Sequence, residues 1–154
     1  MKSKYPVKKI CEWFLSKESL TPKKLQKLLY FAYSWDLVFE NESADSLETE
    51  LFSDCFEAWV HGPVVPSIWK EYRVNGYNEI TKLDKQPENI DEDTIDTLEQ
   101  VWEVYGKYNG NELESITHQE LPWKNARKNL SPLDRSNENI DKKVIFNYYF
   151  KRIS

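Results

Sequence analysis

The stretch TPKKLQKLLYFAYSWDLVF, residues 21–39, decides the fold of this chain. Thr21 is a favourable N-cap residue and Pro22 suits the first helical position, so a helix is predicted to begin at residue 22. Its apolar residues keep the helical period and cover most of the circumference. Because a helix that is apolar on most sides is usually central, we predict that residues 22–39 form the core helix of the domain.

Shorter helices are predicted before and after this segment. Residues 6–16 are amphipathic, with Pro6 near the first turn, and Asp91 is placed to cap a helix of about residues 92–108. The remaining helices are predicted from Pro66 to the Asn75-Gly76 stop, near residues 111–117, from Pro122 to about residue 129, and along the terminal segment marked by Ile140, Val144, Ile145, Tyr148 and Tyr149. Most of the chain is therefore predicted to be helical.

A small amount of sheet is expected in the middle of the chain. The run CFEAWV, residues 55–60, is aromatic and is bounded by His61-Gly62-Pro63, which favours a strand that ends in a turn. Ile80, Thr81 and Leu83 are predicted to supply the second strand, and residues 40–54 are expected to form a loop or a short helix. The fold class is thus mainly α (α+β), a compact multi-helix domain with a small two-stranded sheet, spanning residues 1–154 as a single domain.

Composition excludes several classes of protein. The longest apolar run, Leu28 to Tyr33, is too short to cross a bilayer, and no secretory signal is recognisable at the N-terminus, so we expect a cytoplasmic protein without membrane contact. The two cysteines, Cys11 and Cys55, are expected to be free buried thiols. The four glycines lack the spacing of a dinucleotide fingerprint or a phosphate-binding loop. Common cofactor-binding signatures are therefore absent.

Two histidines are the main candidates for chemistry. His118 could act as a general base, or could bind a metal together with His61, Glu57 or Cys55. No ligand pair has helical or C-x-x-C spacing, so the structural interpretation is favoured, with His118 bonded to backbone near a helix end. We therefore predict a protein that is not an enzyme and needs neither a metal nor a cofactor.

Charge is segregated along the chain. Residues 1–37 carry a net charge of +5, residues 38–121 carry −15, and residues 122–154 carry +5. Basic clusters lie on the long helix and near residue 125, and such clusters are usually solvated faces. These clusters are Lys23, Lys24 and Lys27, and Lys124, Arg127 and Lys128. Nucleic-acid binding through the basic termini stays open as the alternative, although the overall pI of about 5.2 is below that of typical nucleic-acid-binding domains.

Three ordered blocks together resemble the Panacea domain family, also called SocA-like antitoxins. They are KLQKLLYFAY (24–33), FEAWVHGPVVPSIWKEYR (56–73) and LESITHQELPWKNAR (113–127). The positions that carry the resemblance are expected to define the fold rather than a binding surface. These positions are Leu25, Lys27, Leu28, Tyr30, Glu57, Ala58, Trp59, Gly62, Pro63, Val64, Thr117, His118, Pro122 and Trp123.

The resemblance implies a helical protein that acts by binding. Members are encoded beside toxins and in prophages, neutralise a cognate toxin by contact, and in one known mode serve as adaptors that hand the toxin to a ClpXP-type protease. The many aromatic residues are compatible with a protein interface, since a few buried aromatics usually carry most of its energy. We predict Tyr30, Tyr33 and Trp69 as partner anchors around the long helix and the Gly62-Pro63 turn. A prophage-type regulator that binds nucleic acid is the alternative.

Overall fold

The long central helix is the axis around which the other elements pack. The computed structural model describes residues 1–153, and in it this helix, α2, spans Pro22–Glu40. The Thr21 side chain accepts a hydrogen bond from the backbone N–H of Lys24 at 3.2 Å, as expected of an N-cap. Every side chain from Leu25 to Val38 is buried except that of Trp35, which is partly buried. The predicted core helix is therefore confirmed.

Six further helices occur in residues 1–153, at places where the sequence predicts them. Asp91 caps its helix by accepting from the backbone N–H of Thr94 at 3.1 Å, and Asn109 and Glu112 form a reciprocal capping box. The predicted ends at residues 108 and 129 are each three residues too long, because helix ends are the least marked part of a pattern. The helices are α1 Val7–Leu15, α3 Pro66–Tyr72, α4 Glu92–Tyr105, α5 Gly110–His118, α6 Leu121–Ala126 and α7 Lys142–Phe150.

The sheet prediction is correct in kind and wrong in its pairing. Strand β3, Glu57–Trp59, lies inside the predicted segment, but its antiparallel partner is β4, Gly62–Val64, across a tight turn. Ile80, which was expected to supply the second strand, forms only an isolated bridge with Leu20. The pairing with β4 is favoured because it closes a two-residue loop. Pairing with residues 80–83 would close a loop of about 20 residues, which costs more conformational entropy.

A second, unpredicted pair of strands anchors the N-terminus. Strand β1, Lys2–Ser3, runs parallel to β2, Thr49–Glu50, which lies in the segment expected to be a loop or a short helix. The same segment contains a single 3-10 turn at Ala44–Ser46. Strands of two residues carry almost no periodic signal, so the sequence could not indicate them.

The core is formed where α1, α4, α5 and α7 close around α2. Cys11 is fully buried there, as predicted, whereas Cys55 is only partly buried, so its predicted burial is wrong. Both cysteines are free thiols. No helix of residues 1–153 is long and apolar enough to cross a membrane.

Candidate functional site

The three sequence blocks of the resemblance meet at the β3–β4 hairpin, where bonded residues are up to 69 positions apart in the sequence. The Trp123 indole N–H donates to the carbonyl of Trp59 at 2.8 Å. From α2, the Lys27 ammonium nitrogen donates to the carbonyl of Pro63 at 3.1 Å. The Arg127 guanidinium, itself 5% exposed, donates to the carbonyl of Ala58 at 2.8 Å. Three side chains, one from α2 and two from α6 and its C-cap, therefore hold the backbone of one hairpin.

The residue after β4 is held in the same way. The side-chain amide of Gln26 donates to the carbonyl of Val65 at 3.1 Å and accepts from its backbone N–H at 2.8 Å. Both groups are buried. Because buried backbone groups must find partners, Gln26 replaces a neighbouring strand at this point. The start of α3 at Pro66 is thus fixed directly against α2.

Gly62 is required by the close approach of the hairpin to α2. Its φ is +105°, a conformation that side chains rarely adopt. A Cβ at this position would lie 2.8 Å from Cε of Lys27 and 3.0 Å from Oγ1 of Thr117. The glycine of the second block, the lysine of the first and the threonine of the third therefore form one packed contact.

Lys27 is buried without a counter-charge. It is 2% exposed, and within residues 1–153 no ion pair includes it. Burial lowers the pKa of Lys27 to about 7, and the charge of Glu114 only partly opposes this. The expectation that Lys27 lies on a solvated basic face is wrong. The reason is that the β3–β4 hairpin covers this side of α2, which periodicity alone does not show.

His118 has a structural environment. Its ring stacks on that of Trp123, with centroids 4.0 Å apart, and burial lowers its pKa. Nε2 is buried and lacks a hydrogen-bond partner within the described chain. His61 instead faces Glu114 at 3.3 Å, and Glu57 accepts from the indole of Trp59 at 2.9 Å. In residues 1–153 no group of three or more His, Cys, Asp or Glu side chains could hold a metal ion.

Two of the three predicted anchors lie inside the core. Tyr30 and Tyr33 are 0% and 1% exposed, so the prediction that they contact a partner is wrong. The hydroxyl of Tyr33 donates to Glu50 at 2.6 Å, and that of Tyr30 lies 3.4 Å from Glu120. Their positions on α2 face α7 and the β2 segment, which cover them. They stabilise the fold rather than an interface.

The third predicted anchor, Trp69, is at the surface and belongs to an exposed aromatic cluster. It is 37% exposed and meets Trp59 edge-on, with ring centroids 5.4 Å apart. The Arg73 guanidinium lies 5.2 Å from the ring centre of Trp69. Val74 and Tyr77, in the turn after α3, are 88% and 96% exposed. We call Trp59, Trp69, Arg73, Val74 and Tyr77 the α3 surface.

The α3 surface was only partly visible in the sequence. Val74 and Tyr77 flank the Asn75-Gly76 turn that was expected to end the helix. Side chains beside such a turn have no neighbouring element to bury them, which is the signal that could have marked them as exposed. Trp59, which is among the positions expected to define the fold, is partly exposed because β3 ends at this residue.

The basic N-terminal segment does not present a free cationic face. Lys4 pairs with Asp36 at 2.7 Å, Lys17 with Glu99 at 2.6 Å and Lys23 with Glu114 at 2.7 Å. Lys24 donates to the carbonyl of Gly106 at 2.6 Å. Charges that are segregated along the chain are therefore brought together by the fold. Arg127 of the second basic cluster is buried under the hairpin.

Comparison with known families agrees with this arrangement. The profile of the family described as antitoxin SocA-like, Panacea domain, matches residues 25–124, which include α2, the hairpin, α5 and the start of α6. The chain belongs to this SocA-like Panacea domain family. No curated protein and no solved structure matches it. Membership of an antitoxin family argues against an enzymatic function.

Proposed function

We propose that the protein is an antitoxin that neutralises a cognate toxin protein by direct contact through the α3 surface. One observation carries the choice of surface: the exposed ring of Trp69 on α3 packs edge-on against the half-buried Trp59 of the hairpin that unites the family blocks. Family membership supports the antitoxin role. Trp69 remains the central anchor of this surface. Val74 and Tyr77, rather than Tyr30 and Tyr33, are the other side chains expected to contact the toxin.

The α3 surface has the composition of an energetic hot spot. Trp, Tyr and Arg are the residue types that most often dominate binding energy, and Trp69, Tyr77 and Arg73 are all present. The surface also rests on a rigid base, because Lys27 and Trp123 bind the backbone of the hairpin from below. A rigid surface loses little conformational entropy when the partner binds, which favours affinity.

The test is toxin capture by single variants of the α3 surface. The toxin is the product of the neighbouring reading frame whose expression is harmful without this protein, and it is co-expressed with each variant. Trp69→Ala should keep the far-UV circular dichroism spectrum and lose at least about 2 kcal/mol of binding free energy, since hot-spot residues typically exceed this value. Leu133→Ala is the control for loss of an exposed apolar side chain, because Leu133 is 85% exposed and does not belong to the α3 surface.

Two results would contradict the proposed surface. One is unchanged toxin binding by folded Trp69→Ala and Tyr77→Ala variants. The other is loss of binding only in variants that are also unfolded, which we expect for Tyr30→Ala and Tyr33→Ala because their rings are buried. In either case the acidic stretch between Glu40 and Asp54 is the next surface to mutate.

Delivery of the toxin to a ClpXP-type protease is a further part of the proposal, which rests on the family resemblance alone. An adaptor accelerates degradation of the bound toxin, whereas simple occlusion does not. Toxin lifetime is measured with purified ClpXP in the presence and absence of this protein. Shorter lifetime with the wild type and not with Trp69→Ala supports the adaptor role, and an unchanged or longer lifetime refutes it.

The alternative of a nucleic-acid-binding regulator is disfavoured by the pairing of the N-terminal lysines. Cations that are already paired with carboxylates release fewer counterions from a phosphate backbone. Any binding to DNA or RNA is therefore expected to be weak and to disappear as salt is raised. A sequence-specific complex at nanomolar protein and physiological salt, seen by mobility shift, would favour the alternative.

A further inference from the structure

An apolar concavity lies on the molecule, formed by the C-terminal half of α2, one side of α4 and Arg152 just after α7. Its volume is about 290 Å³ and it is open to solvent. Most of the side chains that shape it are apolar or aromatic, namely Trp35, Phe39, Val101, Val104 and Tyr105, and Thr97, Gln100 and Arg152 complete the lining. We call it the α2–α4 groove. It shares no residue with the α3 surface.

The floor of the groove is rigid. The indole N–H of Trp35 donates to the hydroxyl of Tyr105 at 3.1 Å. Tyr105 stacks in parallel on Phe31, with ring centroids 3.9 Å apart, and Trp35 meets Tyr149 edge-on at 5.0 Å. Because each ring is held by a neighbour, the groove exists without a ligand and does not need to open.

Its two edges expose apolar groups that the core does not use. Phe39 is 48% exposed on α2, and Val104 is 52% exposed on α4. Phe39 is aligned with Trp35 as a stacked pair, with centroids 5.8 Å apart. An apolar floor with apolar edges is the composition of a protein-interaction site rather than of an ordinary solvated face.

The charge around the groove determines what can enter it. The helix α4 has no basic residue and carries four exposed acids, Glu92, Asp93, Asp96 and Glu103. Glu99 of the same helix is paired with Lys17 at 2.6 Å. Glu40, which follows Phe39 at the end of α2, lies 3.7 Å from the Lys4 ammonium and adds little to the charge of the rim. Arg152, the one cation in the lining, lies 3.3 Å from the buried carboxylate of Glu120 and against the Trp35 ring, at the α7 end of the groove. The rim along α4 is therefore acidic.

We propose that the α2–α4 groove binds a short peptide segment of a partner protein that has apolar anchor residues flanked by lysine or arginine. The apolar anchors would cover Phe39 and Val104, and the basic flanks would face the acidic side of α4. An acidic segment or an anionic ligand is excluded by like-charge repulsion at the same rim. This inference is independent of the toxin surface proposed above, because a partner in the groove leaves Trp69 free.

Peptide selection tests the proposal without assuming a sequence. A random library of 12-residue peptides is selected on the full-length wild-type protein, and the enriched peptides are then tested on Val104→Asp, which removes an apolar edge of the groove. We expect enriched peptides with at least two apolar or aromatic residues and a net positive charge. Their binding, measured by fluorescence polarisation, should weaken at least tenfold in Val104→Asp and not in Val74→Asp, the matched control on the α3 surface.

Several outcomes would overturn the proposal. These are failure to enrich any peptide that depends on Val104, enrichment of net acidic peptides, and equal binding to Val104→Asp and the wild type. Phe39→Ser provides a second test on the opposite edge if Val104→Asp does not fold. Toxin capture by Val104→Asp should be unchanged, so failure of the groove and failure of the α3 surface give different results.

Discussion

Replacement of Lys27 by methionine should stabilise the protein near neutral pH and remove a pH dependence that the wild type shows. The side chain is 2% exposed and has one hydrogen bond, to the carbonyl of Pro63. Burial lowers its pKa from 10.5 to about 7. Each pKa unit corresponds to about 1.4 kcal/mol, so burial of Lys27 in its ammonium form lowers the free energy of unfolding by about 5 kcal/mol.

The direction of the pH effect follows from the two protonation states. Between pH 7 and 10.5 the unfolded chain binds a proton at Lys27 that the folded chain does not, so stability rises with pH in this range. Integration gives a gain of about 2 kcal/mol for the wild type between pH 7 and 9. Lys27→Met has no titrating group at this position and therefore lacks this increase in stability with pH. It also leaves the Pro63 carbonyl without its donor, a pH-independent loss of about 1 to 3 kcal/mol.

The assay is urea unfolding of both proteins at pH 7, 8 and 9. We expect Lys27→Met to be the more stable protein at pH 7, and its advantage to shrink by about 2 kcal/mol at pH 9. Using the difference between the two proteins cancels the titration of every other group. Lys143→Met, at an exposed site on α7, is the control and should differ from the wild type by a constant. A difference for Lys27→Met that stays constant, or grows, from pH 7 to 9 would refute the reasoning.

Three further changes test other parts of the structure. Gly62→Ala should lower the unfolding free energy by at least about 1 to 3 kcal/mol in denaturant melts, because φ is +105° and a Cβ would contact Lys27. Burial raises the pKa of Glu120 to about 7, so the stabilisation from its protonated form is present below pH 4.5 and is lost as the pH rises through 7. Glu120→Gln should reduce this loss of stability with pH, as measured by thermal melts from pH 4 to 7. A chelator should leave the thermal melt of the wild type unchanged, and a lowered melting temperature would show a structural metal.

Helix positions could be predicted because their signals are local. Thr21 and Pro22 mark the start of α2, and Asp91 marks the start of α4, through contacts within one turn of the chain. The periodicity of α2 also predicted its central place. These signals survive in any tertiary arrangement, since capping and amphipathicity depend on residues three or four positions apart.

The pairing of strands was harder to predict. Ile80 has the character of a strand residue, yet it pairs with Leu20, while Gly62-Pro63-Val64 forms the strand opposite Glu57–Trp59. A proline and a glycine are poor strand signals. The glycine and the proline are tolerated in this strand because Lys27 and Gln26 of α2 supply the hydrogen bonds that a further strand would provide.

By itself, the sequence determined the helices, the central place of α2 and the family, because each depends on local pattern or on the order of the three blocks. Only the tertiary structure decided which side of α2 is covered. That contact buries Lys27 beneath Gly62, and other contacts place Tyr30 and Tyr33 in the core while Trp69 stays exposed. The physical reason is that burial of a residue on a helix that is apolar on most sides depends on elements far along the chain, and their approach leaves no trace in the periodicity of the helix itself.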